Sequence, residues 1–160
     1  MRLLLALSTA LLSACGGPEH AIGLRQPIHH DDFDYSVERV DTLARIGSLT
    51  PSGIFYVVTF QVDNRAQVVD HQWGNDIAYI VDDEGGVYEN DAGAQAELGN
   101  IQPFDRQVWH VTRAGDRETT RLVFDLPAQV KAPYLKVRGW PLMGDLFDGI
   151  QFRRVKVRLF

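Results

Sequence analysis

Histidine, carboxylate and tryptophan side chains set the chemistry open to this chain. His29-His30-Asp31-Asp32 places four ligand-type residues in a row. Imidazole with carboxylate is a donor set for a divalent metal, but adjacent residues of an extended chain point to opposite sides, and a flexible stretch fixes no geometry. The run therefore reads as solvated linker. Asp82-Asp83-Glu84-Gly85 gathers the oxygens that calcium takes. The same residue types build hairpin tips, and that is the expectation here. His71, Trp73, Trp109, His110 and Trp140 could form an aromatic surface for a sugar or a peptide. At alternating strand positions such residues more often face a core, so the binding surface is the second reading. Among the serines, Ser36, Ser48 and Ser52 lie outside any nucleophile-elbow pattern. The sequence has no His-Glu-x-x-His, no phosphate-cradling glycine loop and no cysteine pair for zinc. Neither a metal nor another cofactor is expected, and the chain reads as a non-enzyme. Asp and Glu are plentiful, so a carboxylate pair assembled only by the fold stays open.

Charge narrows the partners. The formal net charge is −5, which disfavours nucleic acid, a ligand that rewards clustered Lys and Arg. Against that background Arg153, Arg154, Lys156 and Arg158 put positive charge near the C-terminus. They could dock on acidic headgroups or an acidic envelope partner. The plainer expectation is an edge strand guarded against sheet-to-sheet pairing.

The elements that must position these residues are strands. Phe33, Tyr35, Val37 and Val40 open the first, and residues 54–62, rich in β-branched and aromatic side chains, form the strongest. Residues 77–81, a return at Val87-Tyr88, and segments 107–111, 119–126, 134–137 and 152–160 follow. In the last, Val155, Val157 and Leu159 alternate with Arg154, Lys156 and Arg158. Only Ala92–Leu98 suggests a helix, of about two turns. Seven or eight short strands separated by turn signals predict an all-β, antiparallel sandwich.

The N-terminus carries a different signal. Arg2 precedes a short apolar run from Leu3 to Leu12, which is too short to span a bilayer and fits a secretory signal. Leu12-Ser13-Ala14-Cys15 resembles the lipobox of bacterial lipoproteins. The resemblance implies cleavage before Cys15, acylation of that cysteine with two or three chains, and durable membrane attachment. Gly16 stands where an Asp often marks inner-membrane retention, so the outer membrane is favoured in a cell with two membranes. Cys15 is the sole cysteine, so the fold has no internal disulfide. The expected organisation is a signal peptide over 1–14, a tether over 15–32, and a sandwich over 33–160 with an extension and basic strand in 141–160. A flexible tether of that length would reach roughly 23 Å.

Three further segments are similar to the DUF4352 family. They are the apolar strand Gly53–Val62 running into Asp63-Asn64, the acidic-glycine turn Ile80–Tyr88, and the late strand Leu122–Leu126 closing on Pro127. That resemblance implies an extracytoplasmic lipoprotein with an immunoglobulin-like sandwich and no defined activity. The function expected is a membrane-anchored, non-catalytic binding or interaction module of the cell envelope. The alternatives are an assembly accessory docking through the basic C-terminal edge, and a protease inhibitor or cryptic hydrolase.

Overall fold

Long β-branched strands pair into two facing sheets, and a third, smaller ribbon closes one end. The computed structural model describes residues 18–102, 106–139, 142, 144–145 and 150–160. The strands are β1 (His20–Ile22), β2 (Ile28–His30), β3 (Phe33–Leu43), β4 (Ile54–Asn64), β5 (His71–Gly74), β6 (Ala78–Val81), β7 (Val87–Tyr88), β8 (Trp109–Thr112), β9 (Arg117–Leu126), β10 (Tyr134–Val137) and β11 (Val155–Arg158). One sheet runs β2-β3-β4-β9, the other β1-β11-β10-β6-β7, and β5 pairs with β8 alone. The expected all-β sandwich is what the chain forms. Its pairings are antiparallel except β1 with β11, which is parallel.

The two large sheets meet over one core. Tyr35 and Val37 of β3, Val58, Phe60 and Val62 of β4, and Leu122 and Phe124 of β9 pack against Ala78, Ile80, Leu135, Val137 and Val157 of the other sheet. β4 buries both of its faces, its side chains alternating between two clusters. Tyr56, Val58, Phe60 and Val62 face this core, while Phe55 and Val57 on the opposite face join a second cluster with Ile46, Val123, Ala94 and Leu98. The last two belong to the helix α1 (Ala92–Ile101), which is longer than its sequence suggests. Asp91 caps it, accepting from the Ala94 N–H at 2.8 Å. The helix also covers the β9 edge. The Gln95 side chain donates to Arg121 O and accepts from Val123 N–H, and the Asp91 N–H donates to Val123 O. An unpaired strand edge is thereby satisfied by side chains.

Two expectations need correction. The tether over 15–32 is, from His20 on, part of the fold: β1 lies in one sheet and β2 in the other. Ile28 and His30 are buried, and Asp31-Asp32 is the two-residue turn of a β2–β3 hairpin, with Asp31 at φ 53°. The His29–Asp32 run is therefore not solvated linker. The C-terminal strand, in turn, is not an edge. β11 sits between β1 and β10, so the edge-guard reading and docking through a basic edge strand both lose their geometric basis. Cys15, the signal segment and Trp140 lie outside the described residues. Among the described residues no helix is long and apolar enough to cross a membrane.

Candidate functional site

At one end of the sandwich the β5–β8 ribbon, the start of β3, the start of β6 and the end of β10 surround a cavity of about 730 Å³. Strand register explains why these segments meet. Trp73 pairs with His110 and Gly74 with Trp109 across the ribbon, while Val137 pairs with Ala78 across the sheet.

The inner wall is aromatic. Trp73 is buried, donates its indole N–H to Thr112 Oγ1 at 2.9 Å, and stacks on His110 at 4.0 Å between ring centres. His110 is held on both sides, with Nδ1 2.6 Å from Glu118 Oε1 and Nε2 3.0 Å from Asn75 Oδ1. His71 stacks on Phe33 at 4.0 Å and meets the Tyr35 hydroxyl through Nε2 at 2.9 Å. Burial, with His30 adding to it, lowers the His71 pKa to about 4, so the ring is neutral near pH 7. Burial raises the Tyr35 phenol above its ordinary value, with Asp34 adding to the effect. Tyr35 is thus the donor, and the His71 proton resides on Nδ1. His30 stacks on Phe152 at 3.9 Å and gives its Nε2–H to Asp145 Oδ2 at 3.0 Å. Burial pushes the Asp145 carboxyl up, but the Leu142 N–H and His30 outweigh it and hold the group below its usual range. A Cβ at position 139 would come within 2.5 Å of the His30 ring, so this close approach requires Gly139.

The rim is polar apart from one residue. Arg138 makes a bidentate pair with Glu89 at 2.6 and 2.5 Å and lies 4.2 Å over the Tyr79 ring. Arg153 donates to Gly139 O at 3.1 Å. The exception is Trp109, which is 71% exposed. Its indole rests on Gly74: a Cβ there would meet the ring at 3.4 Å and Asp76 Oδ1 at 2.5 Å. A second hollow of about 260 Å³ adjoins it at Trp109 and is also lined by Gly74, Asn75, Asp76, Glu89, Asn90 and Val108, among others.

Of the aromatic residues singled out in the sequence, His71, Trp73 and Trp109 line the cavity and His110 stands behind Trp73. Asp76, Arg138, Phe33 and Tyr35 join them without having been singled out. The signal that could have found Asp76 is the polar run that follows Trp73-Gly74.

The other candidates fall elsewhere. Asp82 accepts from Glu84 N–H, Gly86 N–H and the Tyr88 hydroxyl, so both its oxygens serve the hairpin tip. The Tyr88 bond, with Gly86 next, holds the Asp82 carboxyl below its ordinary range. Among the described residues no group of three or more His, Cys, Asp or Glu side chains is arranged for a metal. The Ser36 and Ser52 hydroxyls donate to Glu38 and Asp125 rather than to a histidine. The basic residues separate: Arg153 and Arg154 lie in a 3-10 turn before β11, Lys156 is 3.8 Å from Glu19 and 4.2 Å over Tyr134, and Arg158 sits over Phe160. Lys136 also pairs with Glu19.

No protein-family model matches the chain. No curated protein matches it either. Solved structures do resemble it. A conserved hypothetical protein from Bacillus anthracis superposes with a TM-score of 0.56 at 16% identity, over 72% of this chain and 88% of that one. The yjhA protein from Bacillus subtilis gives 0.56 at 10% identity, over 86% and 98%. MPT63, a secreted protein from Mycobacterium tuberculosis, gives 0.54 at 10% identity, over 78% and 92%. At these identities the likeness is one of fold.

Proposed function

We propose that this chain is an extracytoplasmic, lipid-anchored β-sandwich acting as a non-catalytic binding module, with the cleft around Trp109 as its recognition site. The observation that carries the reading is Trp109 itself. Burying a large apolar side chain is worth about 1.5–3 kcal/mol. Here the largest side chain type is left 71% exposed at the mouth of an aromatic cavity. A cavity of about 730 Å³ is also of the size that holds small ligands. The imidazoles of the wall bond to Asp145, Glu118, Asn75 and Tyr35, and neither the Ser36 nor the Ser52 hydroxyl reaches one of them. That arrangement favours binding over nucleophilic chemistry.

The lipobox-like residues support the anchor, and the secreted MPT63 neighbour is consistent with an extracytoplasmic setting. The anchor is tested by Cys15→Ser, expected to move the protein from the membrane to the soluble fraction. Unchanged fractionation overturns it. The recognition site is tested by crosslinking pull-down of the intact protein, where Trp109→Ala should lose partners that the native chain captures. The same capture profile in both would place recognition elsewhere.

A further inference from the structure

The cleft has three properties that together name a ligand class. First, the indole of Trp109 is presented to solvent. Gly74 lies directly across the ribbon, where the ring comes within contact distance of its Cα, and the residue stays 71% exposed. An aromatic face carries negative charge density and attracts weakly positive C–H groups. A pyranose ring offers such a patch of axial C–H bonds on one face and hydroxyls around its edge.

Second, the two hollows share Trp109, Gly74 and Asp76, so they adjoin at the ring. An occupant using both is elongated and touches Trp109.

Third, charge in the lining is balanced. Asp76 and Glu89 oppose Arg138 and Arg153, and Arg138 is already paired with Glu89. A strongly charged ligand gains nothing net from such a rim. A neutral ligand rich in hydroxyls finds acceptors and donors together, from the Asp76 carboxylate to the exposed Gln72 amide.

We propose that a neutral oligosaccharide lies across Trp109, with one end in the larger cavity and the other in the smaller hollow. The inference rests on the binding-module reading and gives it a ligand class. A peptide is the competing occupant. One adding a strand would run along β8 and draw its affinity from backbone bonds, with no need for an exposed indole.

The test uses the full chain in detergent, with its tryptophans isotopically labelled, and follows the indole N–H signals. The probes are cellohexaose, maltohexaose and the tetramer of β-1,4-linked N-acetylglucosamine, with heparin and a pool of random decapeptides as comparisons. At least one neutral sugar should shift the Trp109 signal while leaving that of Trp73, which is fixed on Thr112. Trp109→Ala should weaken that binding about tenfold, the loss of one well-packed aromatic contact. Gly74→Val, whose side chain would displace the Asp76 carboxylate and crowd the ring, should weaken it similarly with the Trp73 signal intact. If Gly74→Val disturbs Trp73 as well, the conservative Trp109→Phe serves instead, with intermediate affinity expected. A shift from heparin or the peptides, without one from the neutral sugars, overturns the glycan assignment and leaves the binding module standing. If nothing reaches Trp109, both fall.

Discussion

Asn64 ends β4 at zero exposure, and its amide is bonded on every side. Nδ2 donates to Val69 O at 2.8 Å and to Thr112 O at 2.9 Å, while Oδ1 accepts from the Ala66 N–H at 3.0 Å. Those three bonds tie the 65–70 link and the end of β8 to the central sheet. Asn64→Asp keeps the shape and removes both donors, aiming a carboxylate oxygen at two carbonyl oxygens. A buried carbonyl left unsatisfied costs about 1–3 kcal/mol; Thr112 O bears that cost in full and Val69 O, in an exposed residue, only part of it, so the pair gives about 2–3 kcal/mol at neutral pH. That is a large share of the roughly 5–15 kcal/mol that holds a domain folded. The penalty carries a pH signature. Burial and the facing carbonyls raise the new carboxyl in the folded state above its unfolded value of about 3.9. A raised group favours folding when protonated, so the deficit against the native chain is greatest at pH 7 and shrinks as pH falls through the folded value. Urea denaturation of both chains at pH 7 and pH 5 measures it. A deficit below about 1 kcal/mol, or one that does not change with pH, would refute the assignment of Asn64 as a buried donor hub.

Two further outcomes concern stability. Phe60 is fully buried between Tyr35 and Trp73, so Phe60→Ala should cost about 3–5 kcal/mol in chemical denaturation, and a loss under about 1 kcal/mol would mean that the core closes over the gap. His71 has its pKa lowered from 6.5 to about 4, chiefly by burial. The unfolded chain therefore takes up this proton first, so the contribution is complete above about pH 6.5 and drains away as pH falls towards 4. Allowing for partial exposure, it amounts to about 1–2 kcal/mol. His71→Gln should flatten the acid limb of the native stability profile, and an unaltered limb would assign that sensitivity to other groups.

Legibility followed strand length. Residues 54–64 were plain because β4 is covered on both faces, by the main core on one and by the cluster with α1 on the other, leaving an almost unbroken apolar run. β1, β2 and β5 are three or four residues long, too short for a period to declare itself. β1 exists because β11 is there to pair with it, a partner more than a hundred residues away. β2 did leave a trace: Asp31-Asp32 between Ile28 and Phe33 is a two-residue hairpin loop, but the surrounding Gly, Pro and His hid it as linker. At the site, the tryptophans were visible as types, whereas their fates were not. Trp73 and Trp109 differ in burial because one points under the ribbon and the other over Gly74, a distinction set by the β5–β8 register. The basic C-terminal residues alternated as expected, yet no local pattern announces that β1 will cover the flank of β11.

That parallel β1–β11 ladder has a mechanical meaning. His20, Ala21 and Ile22 lie alongside Val155, Lys156 and Val157, pointing the same way. Tension arriving from the N-terminal side pulls along the strand axis, so the bonds of the ladder are strained in shear together rather than peeled in turn. It passes directly to β11, an interior strand whose Val157 is wholly buried, and from there to β10. A tug on the leading segment is thus met by the middle of a sheet and not by one of its outer strands.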